Sequence, residues 1–282
     1  MYRRISVHLD AGKDCPHRLD TALDLAKRHD AELIGIYACH DLPPYYFDAP
    51  LMVHGLLSQL RDEQNKARND AATAFHAAAD KVGVATSWRA SIGMPVQHTA
   101  AMARYSDLLV IGQDNSLDPL AVSKFGFAEQ VLMAAGRPVV VVPSAPGADT
   151  VTHHVGTHVL YCWDGGRESA RALADAAPLL RHAGRFTVLT IDSESLEFKR
   201  AGATGEDLAA YCARQGFPAI QWREGSAKEI GIGACILNAA VDHDADLIVM
   251  GGYGHSRLRD WVMGGATKAL LESMTLPVLF SH

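Results

Sequence analysis

Short apolar runs recur along the chain, each followed by a stretch in which apolar residues return every three to four positions. The runs fall near 4–10, 32–38, 84–89, 107–112 and 138–143, and again near 157–163, 185–191, 218–223, 246–251 and 277–281. Between the first two, Leu19, Ala22, Leu23 and Ala26 mark one face of a helix at i, i+3, i+4 and i+7. A long helix is predicted near 56–81, and a further one from Pro95 to Arg104, where proline suits a helix's first turn. The helix starting near Glu168 contains Pro178, which should kink or shorten it. Strand and helix alternate throughout, so the pattern predicts parallel sheets with helical crossovers.

The pattern also repeats. Asp107-Leu-Leu-Val-Ile-Gly112 echoes Asp246-Leu-Ile-Val-Met-Gly251 at an offset of 139 residues, and Pro138-Val-Val-Val meets Pro277-Val-Leu-Phe at the same offset. Residues 107–143 therefore overlay 246–282 without a gap. The first strands, Ile5–Asp10 and His158–Asp164, match at an offset of 154, because the first copy carries a longer middle segment. Ser144-Ala-Pro-Gly-Ala-Asp-Thr150 reads as a linker, which gives domains at 1–146 and 152–282. A length of 282 residues suits two units at roughly 100 to 200 residues each.

Composition narrows the function. With 48% hydrophobic and 21% charged residues the chain is of a globular kind, and no run approaches the ~20 apolar residues of a membrane span. A net charge of -6 opposes phosphate backbones, so nucleic acid is not the expected partner. Five cysteines with no C-x2-C pair are expected as reduced thiols, which points to the cytoplasm.

The candidate chemistry follows the fourth strand of the second copy, in Gly251-Gly-Tyr-Gly254-His-Ser-Arg-Leu-Arg-Asp-Trp-Val-Met-Gly264-Gly-Ala-Thr-Lys268. Open α/β sheets bind ligands at the carboxyl ends of their strands. Gly251 and Gly254 would let a ligand approach the backbone. Gly264 and Gly265 open the last helix, whose unpaired N–H groups suit an anion.

Gly251-x2-Gly254-x9-Gly264 resembles the G-x2-G-x9-G-[S/T] nucleotide motif of universal stress proteins, and two copies in one chain resemble the tandem subtype. The resemblance implies two tandem flavodoxin-like (HUP-type) α/β domains, each a five-stranded parallel sheet sandwiched by helices. It implies a stress-response protein binding ATP or a related adenine nucleotide, with the two domains pairing as single-domain relatives dimerise. It leaves room for a further homodimer. The site it implies comprises Asp164, Gly251, Gly254, Gly264, Gly265, Ala266 and Thr267. Gly265 departs from the motif's Ser/Thr, which should weaken or alter phosphate binding, and Thr267 is the nearest hydroxyl.

In the first copy Asn115 replaces Gly254, Phe125 replaces Gly264, and Glu129 stands where the second copy has Lys268, so this site is expected to be degenerate although Asp10 matches Asp164. No spacing supports a metal site, and Cys162, Asp164 and His255 are the one group that could meet as zinc ligands. No catalytic signature stands out. The alternatives are a nucleotide-independent interaction protein, or slow ATP hydrolysis with His255 or Asp260 positioning water.

Overall fold

The computed structural model describes residues 1–41, 52–118, 120–124, 126–144, 154–192, 204–253 and 265–282. In the first half, β1 (Arg4–Leu9), α1 (Cys15–His29), β2 (Glu32–Cys39), α2 (Met52–Val82), β3 (Thr86–Ile92), α3 (Pro95–Ala103), β4 (Leu108–Gly112), α4 (Phe127–Ala135) and β5 (Val139–Val142) follow one another. The second half runs β6 (His158–Cys162), α5 (Arg167–Asp175), α6 (Ala177–Leu180), β7 (Arg185–Ile191), α7 (Gly205–Arg214), β8 (Ile220–Gly225), α8 (Gly231–Asp242), β9 (Leu247–Gly251), α9 (Gly265–Ser273) and β10 (Val278–Ser281). All ten expected strands form. The linker residues 145–150 lie outside the described residues.

Local chemistry explains several boundaries. α1 begins at Cys15-Pro16 and ends at Asp30, whose left-handed backbone (φ 51) lets its N–H reach the carbonyls of Ala26 and Lys27. The expected disturbance at Pro178 divides one crossover into α5 and α6 at Ala176. Asp107 and Asp246 serve the same purpose in the two halves. Asp107 Oδ2 accepts from the backbone N–H groups of Arg3 and Arg4, and Asp246 accepts from those of Gly156, Thr157 and His158, so each pins the start of its half's first strand.

The strands form one ten-stranded sheet in the order β3-β2-β1-β4-β5-β10-β9-β6-β7-β8. Every pairing is parallel except the central one, where Val278, Leu279 and Phe280 of β10 run antiparallel to Val141, Val140 and Val139 of β5. Two five-stranded parallel sheets thus meet edge to edge, and neither inner edge is left with unpaired backbone groups. β1, β4, β5, β9 and β10 are almost wholly buried, in apolar clusters on both faces of the sheet. In each half the chain order reverses between the first and fourth strands, at β1/β4 and β6/β9, the switch point beyond whose carboxyl ends open α/β sheets bind ligands.

Candidate functional site

The two switch points are built from equivalent positions and filled differently. In the first, Asp10 follows β1 and is 4% exposed. Its Oδ1 accepts from Arg18 Nη2 at 2.9 Å and from the Gly12 N–H at 3.1 Å, and its Oδ2 accepts from the Val122 N–H at 2.9 Å. Burial works to raise the Asp10 pKa, but the Arg18 guanidinium and these donors hold it down at about 2. Gly112, at the end of β4, has Arg18 against it: a Cβ there would lie 2.3 Å from Arg18 Nη1. The chain's own arginine occupies the space beside the strand end.

The start of α4 is occupied as well. Asp114 Oδ2 accepts from the N–H groups of Gly126 and, at 3.1 Å, Phe127, while Oδ1 accepts from Ala128 N at 3.0 Å. Asn115 builds the intervening loop: its Oδ1 accepts from the N–H groups of Leu117 and Asp118, and its Nδ2 donates to Asp14. Phe125 lies outside the described residues.

At the second switch point Asp164 is exposed, and its Oδ1 accepts from the Gly166 N–H at 2.8 Å and the Ser169 hydroxyl at 2.6 Å. Ala172, rather than an arginine, stands at the position equivalent to Arg18, and it is fully buried. β4 and β9, and β5 and β10, keep the offset of 139 in three dimensions, so Gly265, Ala266 and Thr267 of α9 correspond to Gly126, Phe127 and Ala128. Tyr253 corresponds to Asp114. Among the described residues, no side chain accepts from the N–H groups of Gly265, Ala266 or Thr267. Gly265 is exposed, and a Cβ there would meet nothing within 4 Å.

The universal stress protein family model matches residues 1–143 and 226–282, more than half of the sequence. The chain belongs to the universal stress protein family. Among solved structures, a universal stress protein from Archaeoglobus fulgidus is similar over 99% of this chain and 97% of its own, with 14% identity and a TM-score of 0.72. A functionally unknown protein from Pseudomonas aeruginosa is similar over 99% and 92%, with 17% identity and a TM-score of 0.59. A universal stress protein solved in complex with cAMP covers 51% of this chain and 99% of its own, with 20% identity and a TM-score of 0.38. No curated protein matches.

Within this universal stress protein, the expected site residues separate into three groups. Gly265, exposed, and Ala266, half-buried, sit at the start of α9, and Asp164 is exposed just after β6, in the stretch between the two matched regions. Gly251 and Thr267 are turned inward. A Cβ on Gly251 would lie 2.5 Å from the backbone carbon of Glu168 and 2.6 Å from Ser169 N, so glycine is needed there for α5 to pack on β9. Thr267 is 3% exposed, and its hydroxyl oxygen accepts the Tyr253 N–H at 3.4 Å. Gly254 and Gly264, with His255 and Asp260, lie outside the described residues.

Among the described residues no group of three or more histidine, cysteine or acidic side chains could hold a metal ion. Burial, then Asp164 and Cys235, push the Cys162 thiol pKa far up. No helix of the described residues is long and apolar enough to cross a membrane.

Sequence reasoning missed Arg18 and Asp114. The one available signal for Asp114 was an acidic residue in the loop leading to a glycine-started helix.

Proposed function

We propose that this universal stress protein binds an adenine nucleotide of the ATP class at the switch point of its second half, and that its first half is a structural or regulatory partner that binds none. The observation that carries the reading is the contrast between the two helix starts. In α4 the N–H groups already serve a carboxylate, whereas among the described residues no side chain accepts from the equivalent groups of α9. Unpaired N–H groups together with the positive end of the helix dipole favour phosphate oxygens. Asp164, exposed just after the carboxyl end of β6, which pairs with β9, is suited to accept from ribose hydroxyls or the adenine amino group.

Gly265→Asp tests the reading. Its backbone is not left-handed and a Cβ there meets no described atom within 4 Å, so a side chain fits among the described residues while the new carboxylate repels phosphate. Calorimetry with ATP, ADP and AMP is expected to show binding by the wild type and at least about tenfold weaker binding by the variant, about 1.4 kcal/mol. Gly265→Ser, which restores the hydroxyl of the family's motif, is expected to tighten binding. No binding by the wild type, or equal binding by wild type and Gly265→Asp, refutes the proposal.

A further inference from the structure

The two halves also meet at the end of the sheet opposite to the switch points. His29 ends α1 shortly before β2, and Thr157 stands just before β6, so both lie at the amino ends of strands. Between them is a cavity of about 280 Å³, lined by Arg28 and His29 of the first half and by His154, Thr157, Leu179 and His182 of the second. His154 and His182 are exposed, so the cavity opens to solvent beside them. His29 is 2% exposed, and its Nδ1 is buried without a hydrogen-bond partner among the described residues, as is the Nε of Arg28. The His29 ring stands 6.0 Å from that of His182 and 4.9 Å from that of Tyr2, centroid to centroid.

The acids around this cavity are committed elsewhere. Asp24 pairs with Arg28 at 2.8 Å and with His154 at 3.1 Å, Asp246 accepts from the three backbone N–H groups at residues 156–158, and Asp175 and Asp107 act on the Tyr2 hydroxyl. Burial, then the cationic charges of Arg28, His182 and the Met1 amino group, hold the His29 pKa down at about 4. We infer that the cavity is a binding site for a small tetrahedral oxyanion, phosphate or sulfate, free or as the end group of a small phosphate ester, held between the Arg28 guanidinium and the imidazoles of His29, His154 and His182. These side chains are N–H donors, and the oxyanion gives the buried His29 ring the acceptor it lacks. It also supplies the counter-charge that a protonated His29 lacks, so the anion binds together with a proton and binding tightens as pH falls. A metal cation is opposed by the Arg28 charge. The volume lies below the ~300–1,000 Å³ of pockets for drug-sized ligands, which suits a small anion rather than a nucleotide. The inference does not rest on the nucleotide reading, which concerns the other end of the strands.

Sulfate is the first probe, because its charge stays constant over the pH range needed, with sodium chloride at matched ionic strength as the reference. NMR titration of the histidine ring protons of the full chain should place the His29 pKa at least about one unit higher in sulfate than in chloride, which corresponds to about tenfold tighter binding to the protonated form. Calorimetry should accordingly show sulfate binding about tenfold tighter at pH ~5.5 than at pH ~8. His182→Ala, at an exposed position, should weaken sulfate binding, and His29→Gln should weaken it and remove its pH dependence. Should His29→Gln fail to fold, His182→Ala decides. Inorganic phosphate compared with glycerol phosphate at pH ~5.5 separates the sources: tighter binding of the ester identifies an end group, and tighter binding of phosphate identifies a free ion. An equal His29 pKa in sulfate and chloride, or sulfate binding unchanged by His182→Ala, overturns the inference. So does loss of the sulfate response in Gly265→Asp alone, which would place the anion at α9. ATP binding by the wild type with no effect of sulfate on His29 leaves the nucleotide reading standing and removes this one.

Discussion

Asp10 and Arg18 hold each other at 2.9 Å with side chains only 1% and 3% exposed. They lie between β1, α1 and the loop at Val122, and Arg18 presses against Gly112 at the end of β4. The pair fills the space beside the ends of β1 and β4, and each charge depends on the other to be tolerated in the interior.

Removing one partner should therefore cost far more than a surface ion pair is worth. Arg18→Met leaves a buried carboxylate with only backbone donors, and a loss of about 3–5 kcal/mol is expected in urea unfolding. Replacing both residues, Asp10→Leu with Arg18→Met, should recover much of that loss. A single Arg18→Met variant as stable as the wild type would contradict the buried pair.

Stability should fall in mild acid. Burial, then the charge of Arg18, hold His8 at a pKa of about 4 against the pull of Asp10, and burial, then Arg28 and His182, do the same to His29. Unfolded histidines titrate near ~6.5, so between that value and about 4 the unfolded chain binds protons that the folded chain does not. Folding stability is thus complete above pH ~6.5 and declines as pH falls toward 4. Asp10, held at about 2, keeps its contribution through this window and loses it only as pH falls further toward 2. Urea unfolding from pH 7.5 to 4.5 should show the decline, and His8→Leu should reduce its slope by roughly one proton.

Gly251→Ala should destabilise the protein with no nucleotide present. Its Cβ would stand 2.5–2.7 Å from Glu168 and Ser169, two of the three contacts being backbone, so α5 must shift to admit it. Overpacking of this kind costs about 1–3 kcal/mol. An unchanged thermal midpoint would contradict the packing requirement at Gly251.

The seam between the halves should depend on Phe280. It is fully buried on β10 opposite Val139, and Phe280→Ala opens a cavity on the antiparallel junction, with an expected loss of about 3–5 kcal/mol. Because one sheet runs through both halves, chemical denaturation of this variant should lower the stability of both together. Loss confined to the second half would show that the junction does not couple them.

The sequence by itself determined the ten strands, the repeat and the glycine-marked turn after β9, because each is written in neighbouring residues: an apolar run, a fixed offset, a residue type at close spacing. It also indicated that the two halves differ at equivalent positions. Tertiary structure decided which differences matter. The antiparallel junction of β5 and β10 joins segments more than a hundred residues apart, and nothing in Val139–Val142 specifies whether the partner runs parallel or antiparallel. Arg18, eight residues beyond Asp10 on a helix with several other charges, is recognisable as an internal cation only once α1 lies against β1 and β4. Asp114 becomes an internal anion only when its loop folds back to bring the start of α4 within hydrogen-bonding distance. The physical reason is the same in each case: a charge or an unpaired donor acquires its role from what approaches it across the fold, and that approach depends on chain closure rather than local residue order.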